Sequence, residues 1–177
     1  MEKELRIEAL TAEAFAPFGD VIDVLGPPDR LINAGLCGRH DDLARLSFDS
    51  REGGRAGLSL FDAEARHLPY RLDLMERHPL GSQAFLPLDG VPFLVTVAED
   101  DGGRPVRLRA FLTAPGQGVN LLRNCWHGVL APIGARGRYA VLDRLGGGVN
   151  LEEHVLAEPV TVRGGLSPSP APGPRDR

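Results

Sequence analysis

Glu76-Arg77-His78-Pro79-Leu80-Gly81-Ser82-Gln83-Ala84-Phe85-Leu86-Pro87-Leu88-Asp89-Gly90 is the stretch on which the fold turns. Just upstream, Leu68, Tyr70, Leu72 and Leu74 alternate with other residues, the period of a half-buried strand. The alternation slips at Met75, which is what a bulge does to strand parity. Pro79-Leu80-Gly81 turns the chain, and Ser82 to Leu88 reads as the return strand, broken at Asp89-Gly90. Glu76 and His78, two apart on a strand, share a face, and Arg77 takes the opposite one. A carboxylate, an imidazole and the Gln83 carboxamide thus fall within eight residues, on two strands joined by a turn. A second segment, Pro115 to His127, ends in another imidazole. One active site is expected where these two segments meet.

The remaining chain is punctuated in the same way, with 22 glycines and 15 prolines spread along it. Short strands are expected at Leu5–Leu10, Val21–Leu25, Gly57–Phe61, Phe93–Ala98, Val119–Leu122, Trp126–Leu130, Arg138–Leu142, Leu151–Val155 and Val160–Val162. Thr11 can cap a short helix through Glu13, Phe15 and Phe18, which Gly19 would end. Arg30 to Arg51 has no clean period and reads as a long connection with a strand near Leu43 to Phe48. Val106 to Leu112 suits a strand or a short helix equally. The fold class that follows is mainly β, an antiparallel sandwich or barrel with a short N-terminal helix. Residues 1–163 make one domain, and residues 164–177, Pro-rich and without apolar anchors, make a flexible tail.

Composition excludes several chemistries. A net charge of −4 argues against a general binder of nucleic acid or membrane surfaces. No apolar run approaches the roughly 20 residues of a membrane span, and the charged N-terminus reads as no signal peptide. Lys3 is the only lysine, so Schiff-base catalysis is not expected. Cys37 and Cys125 are too few for a disulfide framework and read as reduced thiols in a cytoplasmic protein.

The spacing from His78 to Gln83, followed by Gly90, resembles the first motif of the cupin barrels. Pro115-Gly116 followed by His127 resembles the second. This resemblance implies that Glu76, His78, Gln83 and His127 converge. Carboxylate, imidazole and amide oxygens can hold a divalent ion such as Ni²⁺ or Mn²⁺; the alternative is a hydrogen-bonded polar pocket without metal.

A longer match supplies a function. Glu76 through Phe85, Gln117-Gly118-Val119-Asn120, Arg123, Trp126-His127, Glu13 through Ile22, Ile32-Asn33, Arg109-Ala110-Phe111 and Asp143-Arg144 resemble the ureidoglycolate lyases, in register over residues 5 to 163. The resemblance implies a cytosolic homodimer that cleaves (S)-ureidoglycolate into glyoxylate and urea in allantoin breakdown, a part of purine catabolism, with a divalent metal such as nickel. The chain departs from the family pattern at Leu121-Leu122, where the family has Tyr-His, and at Gly128, where it has a second histidine.

The chemistry suits these residues. Ureidoglycolate is a carbinolamide carrying a carboxylate, so its cleavage removes a hydroxyl proton and protonates the leaving nitrogen. His127 and His78 are assigned to base or metal work, Glu76 to metal binding or proton transfer, Arg123 to the substrate carboxylate, and Ser82 and Gln83 to the ureido group. Two rivals stand beside this reading. One is an amidohydrolase on the same substrate that releases ammonia. The other is a non-catalytic barrel that binds a small 2-oxo or 2-hydroxy acid. Elsewhere, Cys125 reads as a small buried residue, Arg39-His40-Asp41-Asp42 as a solvated loop, Glu152-Glu153-His154 as surface, and Arg77 as outside the pocket.

Overall fold

The computed structural model describes residues 3–164. Of the tail read at 164–177, all but Gly164 lies outside the described residues. The strands are β1 (Lys3–Ala9), β2 (Gly19–Ile22), β3 (Arg30–Ile32), β4 (Cys37–Arg39), β5 (Arg55–Ala63), β6 (Tyr70–Arg77), β7 (Gln83–Pro87), β8 (Phe93–Asp101), β9 (Arg104–Leu112), β10 (Gly118–Leu121), β11 (Trp126–His127), β12 (Ala131–Pro132), β13 (Gly137–Leu145) and β14 (Glu152–Arg163). The helix, α1 (Ala12–Phe15), is capped by Thr11, whose hydroxyl accepts from the Ala14 N–H at 3.1 Å. It is shorter than the pattern through Phe18 suggests, and Phe15 and Phe18 are both buried.

A seven-stranded sheet runs β11-β6-β14-β1-β9-β8-β12, and a further pairing of β11 with β8 closes six of these strands into a barrel. A five-stranded sheet, β2-β10-β7-β13-β5, lies against it. The mainly β barrel expected from the sequence is therefore what forms. Pairing is antiparallel except at β1, which runs parallel to both β14 and β9. Val106–Leu112, ambiguous by period, belongs to strand β9 because its backbone pairs with β8 as well as β1. Ile7, Leu72, Met75, Trp126 and Val162 fill the ring of six strands. Phe85, Val97, Phe111, Val119, Tyr139 and Val141 form a second apolar cluster between ring and sheet. Burial on this scale, at about 25 cal/mol per Å² of apolar surface, is the main term holding the two layers together.

The slip at Met75 has its counterpart in a register shift. Strand β14 pairs Val155 with Leu74 but Val160 with Leu72, so extra residues of β14 bulge at that point. Leu72 and Met75 are consequently both buried, at odd spacing, while Glu76 returns to the other face.

The stretch from Arg30 to Arg51 departs from its reading. A small hairpin, β3-β4, forms where no strand was expected. Near Leu43–Phe48 there is only an isolated bridge, Phe48 to Gly81. Side chains hold that segment in place of a ladder. Asp20 accepts from Arg45 N and Nε at 2.8 and 2.7 Å and from Asn120 Nδ2 at 2.9 Å. Arg144, only 5% exposed, donates to the carbonyls of Asp49, Arg51 and Gly147. Such pinning is specific to side-chain identity, which a periodicity reading does not register.

Candidate active site

Strand β11 is two residues long, yet it decides the site. His127 stands opposite Glu76 on β6 and Val97 on β8. Val97 belongs to the cluster between the layers, whereas neighbouring Trp126 fills the ring. His127 and Glu76 therefore point out of the ring, toward the five-stranded sheet. From that sheet Gln83 shares a face with Phe85, and Asp143 shares one with Tyr139 and Val141. Continuing the register Leu142↔Ala84 by one step sets Asp143 opposite Gln83. The expected meeting of the two segments thus occurs, between ring and sheet and not inside the closed ring.

Donor atoms of Glu76, His78 and His127 lie within 4.8 Å of one another. The two imidazoles have centroids 5.3 Å apart, and His127 Nδ1 is 3.8 Å from Glu76 Oε1. Each ring is oriented by a backbone carbonyl: His78 Nδ1 by Asn150 O at 2.7 Å, His127 Nδ1 by Gly128 O at 3.0 Å. A carbonyl can only accept, so both Nδ1 atoms carry hydrogen and both Nε2 atoms present lone pairs. Those two Nε2 atoms are buried without a hydrogen-bond partner, as are Gln83 Oε1 and Asp143 Oδ1. All four are acceptors. Burying unpaired acceptors is costly, so this arrangement fits a ligand that offers positive charge or several N–H groups.

Electrostatics sharpen the roles. Complete burial pushes the His127 imidazole down to about 4, against the opposing pull of the Gly128 carbonyl. His127 is thus neutral at neutral pH, the form that ligates a metal or accepts a proton. Burial raises the Glu76 carboxyl, with the nearby His78 opposing the effect and Glu153 adding to it. Burial also raises Asp143, with Gln83 and His78 pulling the other way.

The other expected residues are placed as follows. The Ser82 hydroxyl is taken up by Ser47, accepting from its N–H at 2.9 Å and donating to its carbonyl at 3.4 Å. Arg123 donates through Nε to Pro79 O and through Nη2 to Asp49 at 3.2 Å, beside the His78 turn and not among its donors. Arg77 lies on the other face, as parity indicated: it pairs with Asp100 and Glu152 and stacks 4.4 Å from the Trp126 ring centroid. Burial raises the Cys125 thiol to about 12, which makes it a poor nucleophile. At Gly128 a Cβ would come within 2.1 Å of Thr96 Oγ1 and 3.2 Å of Leu72, on the ring side, so a histidine there would not reach this site in the present backbone. Leu121 packs in the interlayer cluster.

Asp143 and Asn150 were not singled out as site residues from the sequence. Asp143 stands in the Asp143-Arg144 pair that matched the family, and that match was its one signal. Asn150 acts through its backbone carbonyl, which no residue type announces.

The ureidoglycolate lyase family model matches residues 2–163. The chain belongs to the ureidoglycolate lyase family. A ureidoglycolate lyase of Rhodobacter capsulatus is 78% identical over 162 residues, covering 92% of this chain and 99% of that protein. Ureidoglycolate lyase 2 of Rhizobium meliloti is 49% identical over 158 residues, covering 89% of this chain and 96% of that one. The Agrobacterium fabrum ureidoglycolate lyase is also 49% identical over 158 residues, covering 89% and 95%. Membership so nearly end to end makes this chain an enzyme of the ureidoglycolate lyase type, acting on a small molecule. No helix among the described residues is long and apolar enough to cross a membrane.

Proposed function

We propose that this chain, as one domain over residues 1–163, cleaves (S)-ureidoglycolate to glyoxylate and urea in the cytoplasm, in allantoin breakdown. The observation that carries the reading is the pair of buried, unpartnered Nε2 lone pairs of His78 and His127 beside Glu76. Their donor chemistry fits a divalent ion, Ni²⁺ or Mn²⁺, which Glu76, His78 and His127 would hold with Gln83 Oε1 as a further donor. When bound, such an ion lowers the pKa of a substrate hydroxyl.

The chain's own residues do the rest. The Asn150 and Gly128 carbonyls keep both imidazoles in the tautomer that faces the substrate. Glu76, through a carboxylate oxygen not given to the ion, takes the hydroxyl proton and returns it to the departing nitrogen. The C–N bond breaks toward that nitrogen, the hydroxyl carbon becomes the aldehyde of glyoxylate, and no water is consumed. Arg123 binds the substrate carboxylate. The charge around it favours this: Arg51 and Arg123 share one carboxylate, Asp49, and Arg144 donates to the backbone carbonyl of the same residue. Among the described residues the Arg144 guanidinium donates to carbonyls and to no carboxylate, so its charge has no direct counter-ion there.

The test is turnover of racemic ureidoglycolate by metal-stripped protein, before and after Ni²⁺ or Mn²⁺ is restored. Stripping is expected to lower urea release at least about 100-fold, with restoration on adding metal. Full activity of stripped protein would remove the metal from the proposal; ammonia in place of urea, or no product at all, would remove the lyase reading.

The homodimer is part of the same proposal. Leu58 and Leu60 on edge strand β5 are 70% and 73% exposed, and Leu88 is 55% exposed. In register they share an outward face with Leu86, Ala140 and Leu142. A continuous apolar face of this kind suits a self-complementary contact. Substituting both Leu58→Asp and Leu60→Asp is expected to halve the mass measured by light scattering; an unchanged mass would place the contact elsewhere.

A further inference from the structure

The catalytic reading uses the ring side of the interlayer, where Glu76, His78 and His127 stand. Across from them, Asp143 has no role in it. Yet this residue faces inward from β13, opposite Gln83, with its Oδ1 buried and unpartnered. A carboxylate in that state is poorly solvated and needs donors. No arginine among the described residues pairs with it: Arg144, next in sequence, faces the other way and spends its donors on the carbonyls of Asp49, Arg51 and Gly147. Gln83 is its neighbour across the strands and the first hydrogen-bonding influence on its carboxyl. The buried, unpartnered Gln83 Oε1 fixes the orientation of this amide. Its NH₂ turns to Asp143, and its oxygen turns to the Glu76, His78 and His127 side. One oxygen of Asp143 is then used by Gln83 and the other, Oδ1, is left free.

We infer that Asp143 is a specificity-determining residue: its free oxygen accepts an N–H from the terminal NH₂ of the ureido group and selects substrates that carry that donor. The inference rests on the lyase reading above. It divides the site by chemistry. The ring side handles the hydroxyl and the reacting carbon, and the sheet side recognises the leaving group. A buried acceptor of this kind rejects an isostere without the donor strongly, because the acceptor is then left unpaired.

The test compares ureidoglycolate with its analogue in which CH₃ replaces the terminal NH₂, 2-acetamido-2-hydroxyacetate, using glyoxylate release as the common readout. Urea release from ureidoglycolate by the wild-type enzyme is measured first, so that the lyase reading stands or falls separately. Wild-type enzyme is expected to prefer ureidoglycolate by about 100-fold in kcat/KM. Asp143→Leu, which keeps the shape and removes the acceptor, is expected to bring the two substrates to within a few-fold. Competitive inhibition by glyoxylate, which lacks a ureido group, should change by less than about twofold in the variant. Preference retained in Asp143→Leu, or glyoxylate inhibition lost in parallel, overturns the inference. If Asp143→Leu does not fold, the wild-type comparison decides: equal handling of both compounds by an active wild-type enzyme overturns it as well.

Discussion

His127→Ala is expected to lower urea release from ureidoglycolate by about a thousandfold or more while leaving a folded barrel. The imidazole is 2% exposed, its Nδ1 is spent on the Gly128 carbonyl, and its Nε2 has no protein partner. A group held that way contributes to what binds in the site more than to the packing around it. Three measurements separate the functional loss from a folding defect. The first is bound metal, which should fall with activity. The second is the thermal midpoint. Saturating Ni²⁺ at about 100 times its dissociation constant adds about 2.7 kcal/mol to a protein that binds it only when folded. That is worth roughly 5–10 °C for a chain of this size, and the Ala variant should show none of it. The third is acid sensitivity. The folded-state value of His127 is depressed to about 4, below the ordinary histidine value. Its neutral form therefore supports folding fully above that ordinary value, and the contribution is lost as pH falls through the folded value. Wild-type stability should decline over that window more steeply than that of the Ala variant. Near-native turnover by His127→Ala would sink the site assignment.

Arg144→Ala is expected to be the most destabilising single change outside the apolar clusters, by about 4 kcal/mol, or roughly 10 °C in the midpoint. The guanidinium is nearly fully buried, and its three hydrogen bonds each close a different backbone carbonyl: Asp49 at 2.7 Å, Gly147 at 2.8 Å and Arg51. Truncation leaves those acceptors unpaired and frees the 47–54 segment. That segment also supplies Ser47 to Ser82 and Asp49 to Arg123. Activity should therefore fall through a raised KM, together with faster proteolysis at 47–54. Arg144→Lys should recover less than half of the stability, since one ammonium cannot span three carbonyls in a fork. The control is Arg51→Ala. Its side chain is 73% exposed and pairs with Asp49 at the surface, where such pairs contribute about 0–1 kcal/mol. Equal losses from Arg144→Ala and Arg51→Ala, by chemical denaturation, would contradict this account.

Much of the fold was legible because its signals are local. Period-2 alternation located β5 and β6, a nearly continuous apolar run located β8, turn residues bracketed β7 and β13, each to within a few residues, and a capping hydroxyl located α1. The slip at Met75 was visible as a break in parity, although the bulge that explains it sits on β14, far along the chain. The Arg30–Arg51 stretch was misread where side-chain bonds, and not a strand ladder, hold it down. Cys125, expected to be buried, is partly buried against the interlayer cluster, and its raised thiol pKa agrees with the expected low reactivity.

The sequence by itself singled out Glu76, His78, Gln83 and His127 as candidates, with the strand parity that keeps Arg77 away from them. That information is local, written in residue type and a period of two. Only the tertiary structure decided where they meet, on the outer wall of the ring and facing the five-stranded sheet. It also decided what stands with them: Asp143 opposite Gln83, the Asn150 carbonyl on His78, and Arg144 stitching 49, 51 and 147. The physical reason is separation along the chain. His78 and Asn150 are 72 residues apart, and Arg144 is 95 from Asp49. No local pattern encodes a contact of that span; it exists only once the two layers have packed.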